Sequence, residues 1–164
     1  MDDHDPFNEP ETASAIAREL MPEEFFWDCV DESAPFGSDE GFDAYYEWRD
    51  WREEHPTRNL SDCLSWILEG READYNPSLY TDEQIQQDLD DPGQAFLAES
   101  YDIFTLDTTI IASGLGQLLD EGRIDAEAKP LLMVAVRRQL HPLICFDVHR
   151  KNIMEAIERV IQAA

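Results

Sequence analysis

The run Phe104-Thr105-Leu106-Asp107-Thr108-Thr109-Ile110-Ile111-Ala112-Ser113-Gly114-Leu115-Gly116-Gln117-Leu118-Leu119-Asp120-Glu121, closed by Gly122, decides the fold. It is apolar on most faces at helical spacing, and such a helix needs other helices around it to keep those faces from water. Gly122 stands where a helix ending in the left-handed conformation places its first non-helical residue. The prediction is therefore an all-α, single-domain bundle of about six to seven helices around a central apolar helix at residues 104–121. The Gly114-Leu115-Gly116 step has no strand before it and lacks the third glycine of a dinucleotide-binding fingerprint. It reads instead as a place where neighbouring helices approach closely. The quietest stretch, 108–119, is interrupted by Ser113, Gly114, Gly116 and Gln117, and falls short of the roughly 20 apolar residues that span a bilayer. No membrane partner is expected.

The flanking segments supply the other helices. Thr12 to Met21 carries Ala15, Ile16 and Leu20 and is closed by Pro22. A connector from Phe25 to Gly37 has no helical period, but its aromatic residues are too many to leave in water, so it should pack on the core. Ser38 is an N-cap for a helix to about His55, with Asp39 and Glu40 in the first turn where the helix dipole favours negative charge. Asn59 caps a short helix with Leu60, Leu64, Ile67 and Leu68, and Gly70 follows as its C-terminal glycine. Thr81-Asp82-Glu83-Gln84 fits a capping box for a helix stopping before Asp91-Pro92-Gly93. Asp125 caps a segment to Leu140 that Pro130 bends or restarts. Asp147 caps a last helix with Ile153, Ile157 and Ile161 in register. Residues 1–10, with Pro6 and Pro10, read as a frayed acidic arm, and 11–164 as the helical domain.

Charge narrows the partners. Residues 1–100 hold 28 of the 37 acidic side chains and only 5 of the 12 basic ones, so 5 − 28 = −23 of the total −25 lies there. A field of that sign argues against nucleic acid and anionic membranes. Cys29, Cys63 and Cys145 are widely spaced and form no CxxC pair, which points to three reduced, packed thiols. The acidic N-terminus, Met1-Asp2-Asp3-His4-Asp5, is unlike a secretory signal and predicts a cytoplasmic protein. Only Lys129 and Lys151 are lysines, and adaptation of the surface to high salt is a competing source of the acidity.

The helix from Ser38 to His55 concentrates that charge. At about 100° per residue, Asp39, Asp43, Glu47, Asp50 and Glu54 fall near 0°, 40°, 80°, 20° and 60°. Arg49 and Arg52 lie on the far side, so no cation shares the stripe. Like charges four apart destabilise a helix, so the stripe gains nothing structurally from its arrangement. The leading reading is a non-enzymatic protein that binds a basic macromolecule, in the manner of an immunity or inhibitor protein. Its contact surface is expected to be the five carboxylates plus exposed aromatics among Tyr45, Trp48 and Trp51. The alternatives are a plain solvated face, and a carboxylate- or metal-assisted hydrolase in a helical bundle.

Other constellations are weaker. Asp88 to Glu99 can be laid on a calcium-binding EF-hand loop, but Pro92 and Phe96 remove two ligand positions. Cys145 and His149 have the spacing of a nucleophile and base, yet Asp147 serves better as a cap and Cys145 sits in an apolar context, as a core thiol. His4, His55 and His141 pair with nothing at ligand spacing. No metal and no cofactor is expected.

Phe25-Phe26-Trp27, then Asp31-Glu32-Ser33-Ala34-Pro35-Phe36-Gly37-Ser38-Asp39-Glu40-Gly41, and then the helix through Tyr45 and Trp51, resemble the N-terminal part of the YfeS-like proteins. These are small acidic bacterial proteins with no assigned activity. The resemblance covers roughly residues 10–55; it implies a bacterial cytosolic origin and transfers no catalytic residue.

Overall fold

Every residue from 106 to 119 is buried, as expected of a helix enclosed by others. The computed structural model describes residues 4–164. It contains α1 (Ala15–Leu20), α2 (Asp39–Glu54), α3 (Leu60–Ile67), α4 (Asp82–Asp90), α5 (Ile103–Glu121), α6 (Lys129–Leu140) and α7 (Val148–Ala163). Short 3-10 turns join several of them, and no strand occurs among the described residues. The all-α bundle around a central helix is therefore the observed fold. The helix α5 begins one residue before Phe104 because Asp102 caps it, its Oδ1 accepting the Thr105 amide at 2.7 Å. It ends at Gly122, in the left-handed conformation with φ 73°.

Two glycines let two helices onto α5. A Cβ at Gly116 would stand 2.7 Å from Trp48 Cδ1, so this glycine admits α2. A Cβ at Gly114 would stand 2.5 Å from Leu132 Cδ1, so that one admits α6. The close-approach reading of Gly114-Leu115-Gly116 thus holds for two separate crossings. The outer helix α7 packs on α6 with Ile153, Ile157 and Ile161 all buried.

Several local expectations are corrected. Of the arm at 1–10, residues 1–3 lie outside the described residues, and the rest is docked rather than frayed. Phe7 enters a ring cluster 5.2 Å from Phe36 and 5.7 Å from Tyr45, and His4 Nε2 lies 2.9 Å from the Tyr45 hydroxyl. Pro6 and Phe7 are both buried, and with the His4 contacts they anchor the segment. The first helix is shorter than Thr12 to Met21, because Ser14 is its cap: Oγ accepts the Ala17 amide at 3.0 Å and donates to the Leu118 carbonyl at 2.7 Å. Gln84 does not reach back to Thr81. It donates to Asp88 Oδ1 at 2.9 Å, leaving only the Thr81 half of the capping box. Asp125 caps a different helix, its Oδ2 accepting the amide of Leu60 at the start of α3 at 2.9 Å. Pro130 restarts the chain as α6 after a 3-10 turn at Ala126–Ala128. Of the three cysteines only Cys63 is buried; Cys29 is exposed and Cys145 half-exposed.

Asp107, on the buried run of α5, organises the polar interior. Arg138 of α6 grips it with Nε and Nη2, both at 2.8 Å, Gln139 donates at 2.7 Å and the Tyr75 hydroxyl at 2.6 Å. Burial pulls the Arg138 pKa down, but the Asp107 charge and hydrogen bonds outweigh it and hold it above the ordinary arginine value.

The connector is tied to α7 by Asp31 and His149, 2.6 Å apart. The hydrogen bond to Asp31, against a smaller opposing effect of burial, raises the His149 pKa above 6.5. Burial pulls Asp31 upward, yet His149 and the Ser33 amide outweigh it and leave it below 3.8. The His149 contribution to stability is complete below its unfolded pKa and disappears as pH rises through the folded one; the Asp31 contribution disappears as pH falls through its own folded value. His149→Gln should therefore destabilise most near about pH 5–6 and progressively less toward about pH 8, read as the difference in melting temperature. A difference independent of pH contradicts the assignment.

Candidate functional site

The face of α2 that packs on α5 is aromatic. Tyr45 and Trp48 are 0% and 1% exposed, and Trp51 is 7% exposed. The Tyr45 hydroxyl donates to Asp120 Oδ1 at 2.6 Å, while Trp51 stacks between Trp48 and His55, with ring centroids 6.1 and 4.8 Å away. Tyr45, Trp48 and Trp51 are thus core residues, and their place in the expected contact surface is withdrawn. The reason is angular: they centre near 180° on the wheel and the carboxylates near 40°, about 140° apart.

The arginines of α2 also turn inward. Arg49 Nε donates to Asp120 Oδ2 at 3.0 Å. Arg52 holds Glu121 with two bonds, Nε to Oε2 at 2.7 Å and Nη2 to Oε1 at 2.9 Å. Both acids end α5, where a helix dipole disfavours negative charge, and the guanidinium groups offset that. Burial pulls the Glu121 pKa up, but the Arg52 and Gln117 hydrogen bonds prevail and hold it below the usual glutamate value. The cations of α2 are therefore used within the bundle, and its outer face retains only acid.

All five stripe residues, Asp39, Asp43, Glu47, Asp50 and Glu54, are exposed. Among the described residues none has a cation within ion-pair distance. Two adjoining grooves flank four of them. One, of about 440 Å³, is lined by Glu40, Asp43, Glu47 and Glu69 together with Trp66 and Tyr101, and contains no Lys or Arg. The other, of about 590 Å³, is lined by Glu47, Asp50, Glu54, Asp62 and Trp66, and also by Arg58. Arg58 is occupied by Asp62, Nε to Oδ2 at 3.2 Å. Asp39 lies outside both grooves, in the first turn of α2.

Glu47 and Trp66 belong to both grooves, and Trp66 is 61% exposed. An exposed indole among carboxylates suits a cationic side chain, which can rest on the ring while its charge meets oxygen. Tyr101 closes one end, half-buried, its pKa raised by burial and further by Glu47 and Glu69. The aromatic element of the surface is therefore supplied by α3 and the segment before α5. Sequence reasoning missed Trp66 in that role, although the signal was present: with Leu60 at 0°, Leu64, Ile67 and Leu68 cluster near about 20°, and Trp66 points about 140° away.

The other constellations do not assemble. Among the described residues no group of three His, Cys, Asp or Glu side chains could hold a metal ion. Asp88 ends up in the interior and Pro92–Gln94 forms a 3-10 turn, with no helix following until Ile103. Cys145 Sγ lies against the Asp147 carbonyl at 3.7 Å, and His149 is engaged by Asp31. No helix among the described residues is long and apolar enough to cross a membrane.

No family model, curated protein or solved structure matches the chain, so the resemblance drawn from residues 10–55 gains no support from these comparisons and the surface is read from its own chemistry.

Proposed function

We propose that the protein binds a basic protein partner through the acidic face of α2 and Trp66, as an immunity or inhibitor protein covers a positive site. The observation that carries this reading is one face with five exposed carboxylates, none ion-paired among the described residues, beside an indole exposed to 61%. The carboxylates point to solvent instead of converging on one another, which favours contact over hydrolysis. Buried aromatic residues fix α2 on the core, so the face is rigid and loses little entropy on binding.

An arginine-rich peptide, titrated at low salt, tests the aromatic part. Trp66→Ala should weaken its binding about five- to tenfold, since a cation on an exposed indole contributes about 0.5–2 kcal/mol. The net charge is unchanged, so general attraction to an acidic protein does not account for that loss. Equal affinity of the two proteins removes Trp66 from the surface.

A further inference from the structure

A second cleft, of about 780 Å³, opens between α4, the start of α5 and the start of α7, with Tyr101 between it and the acidic groove. Its walls include Leu89, Ala95, Ile103, Phe104 and Ile144. Four charged groups interrupt this apolar lining: Glu32 and Asp102, both exposed to solvent, and the more buried Arg150 and Asp88. Arg150 lies with its guanidinium carbon 5.3 Å from the centre of the Phe104 ring and donates one N–H to Gln139 Oε1 at 2.8 Å. Among the described residues no carboxylate is within ion-pair distance of it, although the chain has 37. Burial pulls its pKa below the ordinary arginine value. Asp88, 2% exposed, also lines the cleft; its Oδ1 accepts from Gln84, while its buried Oδ2 has no hydrogen-bond donor.

Asp88 feels the charge of Arg138 but its Oδ2 has no donor, and Arg150 has no carboxylate within ion-pair distance among the described residues, so a ligand that supplies both complements removes two costs. A simple anion would meet Arg150 but would also meet the field of a protein carrying −25. A molecule with one charge of each sign has no net charge to be repelled. We propose that this cleft binds a small zwitterion, an apolar α-amino acid or a molecule of the same chemistry. Its carboxylate meets the Arg150 guanidinium, its ammonium donates to Asp88, and its side chain packs on Leu89, Ile103 and Phe104. This site is independent of the acidic face of α2 and does not rest on the partner proposed for it.

The test uses the full chain at neutral pH, with binding followed by chemical-shift changes. L-Phenylalanine and L-leucine should bind with a dissociation constant of about 1 mM, as expected for a dozen non-hydrogen atoms in a preformed cleft. N-Acetyl-L-phenylalanine, which lacks the ammonium, and L-phenylalaninamide, which lacks the carboxylate, should each bind at least about tenfold more weakly. Arg150→Lys keeps the charge and loses the planar fork, and should weaken L-phenylalanine about tenfold. Ala98→Phe fills the cleft from a half-exposed position, leaves both charges in place and should abolish binding. Absence of any shift with either amino acid at about 10 mM overturns the proposal. Equal binding of the amide overturns the role of Arg150, and equal binding of the acetyl derivative overturns that of Asp88.

Discussion

Asp107→Asn lowers the unfolding free energy by about 3–5 kcal/mol, because it removes one member of a buried ion pair and leaves Arg138 only the weaker attraction of Asp88. Both side chains are 0% exposed. The carboxylate oxygens receive Arg138 Nε and Nη2, Gln139 and Tyr75, which is enough to offset desolvation. Arg138 is less well supplied: its Nη1 is buried without a partner. With an amide at 107, the guanidinium would remain in the interior facing a neutral group. Urea unfolding of Asp107→Asn, Arg138→Met and the double variant Asp107→Leu/Arg138→Met measures the pair. The double variant should regain much of what either single one loses, since replacing both partners by apolar groups removes the desolvation cost together with the attraction. A loss below about 1 kcal/mol for Asp107→Asn would show that the network contributes little.

Gly116→Ala is the second large effect, expected at about 1–3 kcal/mol destabilising, as for overpacking a filled core. Its new methyl group would stand 2.7 Å from Trp48 Cδ1 and 3.0 Å from Tyr45 Cδ1. Trp48 is poorly placed to move. It stacks on Trp51 and lies under the Arg52 guanidinium, 5.1 Å from its ring centre. Gly114→Ala meets instead the two methyl ends of Leu132, at 2.5 and 2.6 Å, which a rotamer change displaces. Alanine is preferred to glycine inside a helix by about 0.5–1 kcal/mol, so Gly114→Ala should be close to neutral. Thermal unfolding of the two variants decides the order. A larger loss at 114 than at 116 contradicts the assignment of the α2 crossing to Gly116.

The bundle was legible because its periodicity is strong where burial is complete. The run at 104–121, the Ser38 cap, Gly122 and the Ile153, Ile157, Ile161 stripe all signal their structures locally. The arm was not legible, since Phe7 docks against Phe36, Phe42 and Tyr45, residues about 30 to 40 positions on. Asp125 shows the same limit: its position suggested a cap for the following segment, but its carboxylate serves Leu60, 65 residues earlier. Contacts of that range follow from how helices pack.

The candidate surface was half legible. The five carboxylates are where the helical wheel places them, on the exposed side of α2. Tyr45, Trp48 and Trp51 were misplaced because an acidic stripe and an aromatic stripe on one helix lie on opposite sides of it, and only one of them can face water. Trp66 was visible as an outlier on the α3 wheel, but its position beside Glu47 depends on how α3 packs against the core. Neither half of the zwitterion cleft could be read beforehand, because Asp88 and Arg150 are brought to one cavity by helices 62 residues apart in sequence.

The charge on α2 matters by where it lies. Two variants with the same net charge separate position from total: Asp43→Asn/Glu47→Gln/Asp50→Asn/Glu54→Gln on the face, and Glu9→Gln/Glu11→Gln/Glu83→Gln/Glu127→Gln, all exposed, elsewhere. The measurement is the association rate of an arginine-rich peptide from low to physiological salt. The face variant should associate at least about tenfold more slowly at low salt and lose most of its salt dependence, while the other stays close to wild type. Equal slowing of both variants would show that only total charge acts, and the acidic face of α2 would then be a solvated surface.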